Sequence, residues 1–347
     1  MNFVRKIGFA VALGLLLAVQ CVELANAQLV ASANPETTNF PVAGVNDPQF
    51  GSAVMLAVEN GYFRNQGLNV DLKVFATGAA QKEPIVAGQI PVGVVGQQVW
   101  LIMRAAGVPI SIIAKSSDVS ETIQLIVSDK IKEPKDLEGK KIGYLKGSIL
   151  DAVYLSFCKA YGVDGSKVEA LNMSQPEMLT SFLQGQLDAI VVAGTFGPDA
   201  VKKGASVGAR LMHTAATSWI TGKPEKKRLV PGNVVLVAND DFIKKNPNTL
   251  AAFLRAVEQA NMEIQNDRQK PAEIIAGRTK IPLEDVLNLW NLSSYGLSIS
   301  PDLLTDLETD KSFLTSVGAI RGDVDIKAGI NEQPLKAVLP QYVTLVP

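Results

Sequence analysis

Strand-like and helix-like segments alternate along this chain with short loops between them, and they do so in two successive blocks. In the first block, residues 42–45, 69–75, 92–95 and 109–114 read as strands. Residues 51–64, 79–87 and 97–106 read as the helices between them. A β-α-β-α-β-α-β order calls for parallel pairing in a sheet covered on both faces. The second block opens with an apolar strand at 122–127 and repeats the plan. Strands follow near 142, at 168–171, at 189–193 and at 209–212, with helices starting at Ser148, Pro176 and Gly197. A further strand at 232–238 precedes a helical region at 248–266, 272–278, 283–292 and 301–317. The simplest assembly has the chain leave a first lobe near Ile123 and return to it near Val234. Two adjacent crossover strands then form a hinge about which two lobes close on a ligand. The expected division is 28–124 with 233–347 for lobe 1 and 125–232 for lobe 2.

The ends and the composition narrow the class. Arg5 and Lys6, an apolar run from Ile7 to Val19, and the small-x-small triplet Ala25-Asn26-Ala27 have the order of a secretory signal peptide. We expect residues 1–27 to be removed and the protein to be exported. Lys and Arg number 33 against 34 Asp and Glu, which lacks the basic field that nucleic acid requires. Of the two cysteines, Cys21 falls in the leader and Cys158 lies on an apolar helical face, so Cys158 reads as a buried structural thiol. One histidine, His213, and one remaining cysteine do not make a Cys/His metal cluster or a nucleophile–base pair. No Gly-rich phosphate loop precedes a Lys-Ser/Thr pair. Catalysis, a metal and a cofactor are therefore not expected.

In open parallel sheets, ligands sit beyond the carboxyl ends of the strands, where loops run into helix N-termini with free N–H groups. Lobe 1 offers Gln49 and Phe50 after its first strand, Thr77 and Gly78 after its second, and Gln97 after its third. Lys115 and Ser116 follow its fourth. Lobe 2 offers Gly147 and Ser148, then Thr195 and Phe196, while Asn233 stands on the returning hinge strand. The glycines allow close backbone approach, the hydroxyls and amides supply donors, and the two phenylalanines can wall an apolar part. The same residues have plainer readings: Ser148 and Thr77 as helix caps, the phenylalanines as core, and Lys115 and the run 226–228 as solvated surface.

Four strings resemble the nitrate/sulfonate/taurine group of substrate-binding proteins for ABC transporters. They are Glu59-Asn60-Gly61-Tyr62-Phe63 with Gln66-Gly67-Leu68, Ala87-Gly88-Gln89-Ile90-Pro91-Val92-Gly93-Val94, Lys135-Asp136-Leu137-Glu138-Gly139-Lys140-Lys141 with Lys146-Gly147-Ser148, and Gln184-Gly185-Gln186-Leu187-Asp188. The resemblance implies an α/β, two-lobed periplasmic binding protein type II fold, each lobe a mainly parallel sheet flanked by helices. It also implies a monomer that captures a small, anionic solute for a membrane permease in the periplasm. Sulfonate binders of this group often carry Trp-acid-Pro-Phe where this chain has Ala193-Gly194-Thr195-Phe196, so an aromatic wall and a carboxylate are missing. Two other readings stand beside it: a binder of a neutral, thiamine-pyrimidine-like heterocycle, and a secreted protein that presents its ligand to a sensor.

Overall fold

The computed structural model describes residues 34–75 and 79–345. The expected leader, Cys21, Thr77 and Gly78 lie outside them. The chain begins with β1 (Asn39–Val45), α1 (Ser52–Glu59), α2 (Tyr62–Asn65), β2 (Asn69–Phe75), α3 (Lys82–Val86), β3 (Val92–Gly96), α4 (Gln97–Ala105) and β4 (Ile110–Asp118). The sequence predicts one helix over 51–64, but the structure breaks it. Gly61 takes φ +72° and ends the first segment, a conformation open to glycine because it lacks a Cβ.

After a 3₁₀ turn at Ser120–Thr122 come β5 (Ile123–Val127), β6 (Lys141–Tyr144), α5 (Ile149–Tyr161), β7 (Glu169–Asn172), α6 (Gln175–Leu183) and β8 (Ala189–Ala193). Then follow α7 (Phe196–Lys203), β9 (Arg210–Thr214), β10 (Thr217–Ser218) and β11 (Glu225–Lys226). The chain returns through β12 (Asn233–Asn239), α8 (Asp240–Lys245), α9 (Pro247–Asn266), α10 (Gln269–Thr279) and α11 (Leu283–Asn291). It finishes with β13 (Ser294–Ser298), α12 (Pro301–Ser316) and α13 (Gln333–Lys336).

Two sheets result. The six-stranded sheet runs β13-β4-β12-β3-β1-β2, and the seven-stranded sheet runs β11-β10-β9-β5-β8-β6-β7. Pairing is parallel among β1, β2 and β3 and among β6, β7 and β8. It is antiparallel where β12 sits between β3 and β4, and where β5 sits between β8 and β9. Both sheets are therefore mixed. The inserted strand in each is the one that has just crossed from the other lobe, a long-range pairing that sequential alternation does not reveal.

Period-two alternation divides the lobe 1 core between the two faces of its sheet. Val234 and Leu236 of β12 join Phe253, Trp290, Met55 and Leu56 on one face, while Val235 and Val237 join Trp100, Leu101, Leu303 and Leu307 on the other. Lobe 2 packs Phe157, Phe182 and Met178 against Val191, Ile126 and Met212. Phe313 of α12 packs against the lobe 2 core and against one lobe 1 core, so this helix bridges the lobes.

Candidate functional site

The carboxyl ends of the parallel strands carry the loops that meet between the lobes. In lobe 1, β1 ends at Val45 and the chain turns through 46–51 into α1. Asp47 Oδ1 accepts the N–H of Gln49 at 2.7 Å, and the Gln49 carbonyl accepts the Ser117 hydroxyl at 3.1 Å, so the loop is pinned to β4. The Pro48 carbonyl accepts three donors: Trp290 Nε1 at 3.1 Å, the Tyr295 hydroxyl at 2.9 Å and the Ser52 hydroxyl at 2.5 Å. Sequence reasoning missed Trp290 and Tyr295. The two aromatic residues come from the far C-terminal region, and no local spacing brings them here. Phe50 stands 3.7 Å from where a Cβ on Gly96 would lie and packs against the lobe 1 core. Burial pushes the Asp47 carboxyl above its ordinary range, although the amides of Gln49 and Phe50 pull it back in part.

Across the gap, β8 ends at Ala193, whose N–H is held by Gln175 Oε1 at 2.6 Å. Gly194 follows with φ +66°, and a Cβ there would lie 3.4 Å from Gln49 Nε2. The first loop of lobe 1 and the β8–α7 loop of lobe 2 thus approach each other closely, with room for little more than a Cβ between Gly194 and Gln49. Thr195 precedes α7, and its hydroxyl makes no side-chain capping hydrogen bond to that helix. Phe196 packs partly buried against the lobe 2 core. The other lobe 2 loop is internally satisfied. The Gly147 N–H reaches Asp151 Oδ2 at 2.9 Å, and the Ser148 oxygen accepts from Leu150 N at 3.1 Å while donating to the Leu145 carbonyl at 2.7 Å. Ser148 thus caps α5.

The remaining sequence candidates serve a polar network at the hinge. Gln97, 2% exposed, donates through Nε2 to Asp310 Oδ2 at 2.6 Å and to the Asp306 carbonyl at 3.1 Å. Asn233 donates to Gln97 Oε1 at 2.9 Å and to Asp306 Oδ2 at 2.8 Å, and its own Oδ1 is buried without a protein partner. Lys115 faces Asp118 at 3.7 Å. Ser116 is buried at a bulge between the Lys115–Val235 and Ser117–Val234 pairs. The run 226–228 is exposed at Lys226 and Arg228, as the sequence suggests, but Lys227 and Arg228 are also engaged. Lys227 Nζ lies 3.8 Å over the centre of the Tyr161 ring, and Arg228 bridges Asp118 and Asp306.

The reactive side chains are committed elsewhere. His213 is fully buried with Nε2 3.0 Å from the Tyr161 hydroxyl, and burial lowers its pKa below the usual imidazole value. Burial pushes the Cys158 thiol up to about 11, away from the thiolate that nucleophilic chemistry needs. Among the described residues, no group of three His, Cys, Asp or Glu side chains is placed to hold a metal ion.

With this geometry in view, comparison with known proteins places the chain. The family model described as "NMT1/THI5 like" matches residues 49–270. The taurine-binding periplasmic protein of Escherichia coli (strain K12) is 23% identical over 250 residues, spanning 70% of this chain and 74% of that protein. The periplasmic aliphatic sulphonate binding protein SsuA from Escherichia coli superposes with a TM-score of 0.72 at 16% identity, covering 85% of this chain and 97% of that one. The periplasmic nitrate-binding protein NrtA from Synechocystis PCC 6803 superposes with a TM-score of 0.68 at 14% identity, covering 89% and 90%.

Proposed function

From the premise that this chain belongs to the NMT1/THI5-like family, we propose that it is the periplasmic solute-binding component of an ABC importer, capturing a small oxyanion or sulfonate between its lobes. The carrying observation is the meeting of the two strand-end loops. Gln49 of lobe 1 faces Gly194 of lobe 2, beside a Thr195 hydroxyl left out of helix capping. Such a junction binds only when both lobes contribute, and this links capture to closure. The lobes are taken as 28–124 with 233–347 and 125–232, the leader as cleaved, and the permease as the partner that reads the closed form. The relatives named for taurine, sulfonate and nitrate support the ligand class. The buried His213 and Cys158 support a binding role over catalysis.

A thermal-stability screen tests this. A ligand at a hundredfold excess over its Kd stabilises the folded state by about 2.7 kcal/mol. Taurine, an alkanesulfonate or nitrate is expected to raise the midpoint. A rise only with a neutral pyrimidine would overturn the anionic part. No rise with any of them, and no small molecule retained in native mass spectrometry, would overturn solute capture itself.

A further inference from the structure

The second crossover carries a residue whose contacts run against its neighbours. Residues 227–230 are held on lobe 2, with Lys227 N donating to the Ala216 carbonyl at 3.0 Å and Leu229 N to the Ala215 carbonyl at 2.8 Å. Arg228, between them, reaches towards lobe 1. Its Nη2 lies 3.1 Å from Asp306 Oδ2 on α12 and 3.0 Å from Asp118 Oδ2 at the end of β4. Since Leu303 and Leu307 anchor α12 in a lobe 1 core, the Arg228–Asp306 pair ties one lobe to the other.

Both carboxylates are fixed in advance. The Asp306 carboxylate is held by Asn233 and its main-chain carbonyl by Gln97, and Gln97 and Gln98 are in turn fixed by Asp310 at 2.6 and 3.1 Å. Asp118 Oδ1 accepts from Ser120 N at 2.9 Å and from Ser120 Oγ at 2.6 Å, and that hydroxyl oxygen accepts the Gly232 N–H at 2.8 Å. The outgoing and returning crossovers are thereby laced side by side, so closely that a Cβ on Gly232 would lie 2.7 Å from Ser120 N. The side chains of Asp306 and Asp118 are 13% and 19% exposed while that of Arg228 is 40% exposed, so the pairs are half-buried and open to screening by salt from the arginine side. Among the described residues, the other ion pair between the lobes, Lys202 with Glu284, spans 4.0 Å with its side chains 73% and 76% exposed, and it contributes little.

We propose that Arg228 is a positioning residue that sets the balance between joined and separated lobes, and through it solute affinity, by clasping Asp306 and Asp118 across the hinge. This rests on the reading that the lobes move about the two crossovers. A single guanidinium lies against both carboxylates through the same nitrogen, and Lys115, 3.7 Å from Asp118, is the second cation beside them. Its removal deletes the attraction across the hinge and leaves two carboxylates with Lys115 as their one nearby cation, so the hold of α12 on the crossover is weakened. The states differ in these contacts, which is the requirement for a residue distant from the solute to shift the equilibrium.

The test needs no ligand. Spin labels are placed on V86C and V201C, exposed positions of α3 in lobe 1 and α7 in lobe 2, and pulsed dipolar spectroscopy reads their separation in the solute-free protein. In R228M we expect the population with separated lobes to rise about fivefold or more. D306N should give a smaller rise, because it removes the bridge without exposing a second carboxylate. The R228M/D306N double should fall back towards D306N, and R228K should lie between wild type and R228M. Added salt should move wild type towards R228M and leave R228M unchanged. If folded R228M, R228K and D306N all give the wild-type distance distribution, the proposal is overturned, even if their melting temperatures fall. Because no solute is added, a wrong assignment of the solute leaves this result intact.

Discussion

Laid strand against strand, β1, β2, β3, β12 and β4 of lobe 1 correspond to β6, β7, β8, β5 and β9 of lobe 2, with the same neighbours and the same antiparallel insertion. The lobes differ in what surrounds that common ladder. Lobe 1 adds β13 on the margin of β4 and collects α8 to α13, which gives it a core on each sheet face, one around the fully buried Trp290 of α11 and one around the fully buried Trp100 of α4. Lobe 2 closes its margin with the short β10 and β11 strands and has one principal core. One strand plan thus yields a heavy frame and a lighter jaw. The first loop of the site belongs to the frame, since the Pro48 carbonyl is held by Trp290 and Tyr295 from the added C-terminal region.

If frame and jaw are separate cooperative units, core truncations should act locally. Phe253 stacks on Phe63 with ring centres 5.1 Å apart in lobe 1, and Phe182 is fully buried in lobe 2. Phe253→Ala and Phe182→Ala should each cost about 3–5 kcal/mol. Hydrogen exchange should then show Phe182→Ala releasing amides of β6 and β8 while β1 and β12 keep their protection. Equal loss of protection in both sheets would break the comparison and make the two lobes a single folding unit.

Buried carboxylates sharpen the contrast with a somewhat smaller effect. Burial pushes Asp310, on the frame, up to about 6; amides of Gln97 and Gln98 and the charge of Arg228 oppose the shift, and neighbouring Asp306 adds to it. A folded pKa above the unfolded value of about 3.9 means that its stabilising contribution is complete below about pH 4 and is lost as pH rises through 6. Asp188, on the jaw, behaves oppositely. Burial raises its pKa, but Lys130 at 2.8 Å and the Lys141 N–H at 3.1 Å outweigh this and leave it lowered. Its contribution is present above the unfolded pKa and is lost as pH falls through the folded one. Melting curves from pH 4 to 7 should therefore show wild type losing about 1–3 kcal/mol relative to Asp310→Asn. Asp188→Asn should be less stable than wild type at pH 7, with the gap closing in acid. Parallel curves for wild type and Asp310→Asn would remove the carboxylate from the hinge's pH response.

How far the sequence could be read follows the same division. The βα units of both lobes were legible because their signals are local: the alternation in β2, Ser148 before α5, and Pro176 within the first turn of α6. The insertion of β12 and β5 was not, because a strand's neighbours depend on long-range loop closure and not on its own pattern. At the site, the loops were legible as strand ends, but the roles of individual residues were not. Gln97, Lys115 and Asn233 have the donors a ligand would want, yet Asp306 and Asp310, brought in from a distant helix, engage Gln97 and Asn233 first, and Asp118, three residues on, faces Lys115. Gly194 was visible only as a departure from a family string. Its positive φ and its approach to Gln49 give that departure a geometric meaning.

The smallest expected effect separates two hydroxyls of lobe 2 that look alike in sequence. Ser148 spends its oxygen on Leu150 N and its proton on the Leu145 carbonyl, whereas Thr195 makes no side-chain cap. Ser148→Ala should lower stability by about 1 kcal/mol, the usual cost of a lost N-cap, and leave the affinity for a bound sulfonate unchanged. Thr195→Val keeps the shape and removes the hydroxyl. It should leave the melting temperature within a degree or two of wild type and weaken sulfonate binding about tenfold, as expected when one hydrogen bond to a charged group is lost. Calorimetric titration beside thermal melts reads both quantities on the same samples. The reverse pattern, with Ser148→Ala losing affinity and Thr195→Val losing only stability, would move the solute from the β8–α7 loop to the start of α5, where the single proton of Ser148 can reach an anion only by releasing the Leu145 carbonyl.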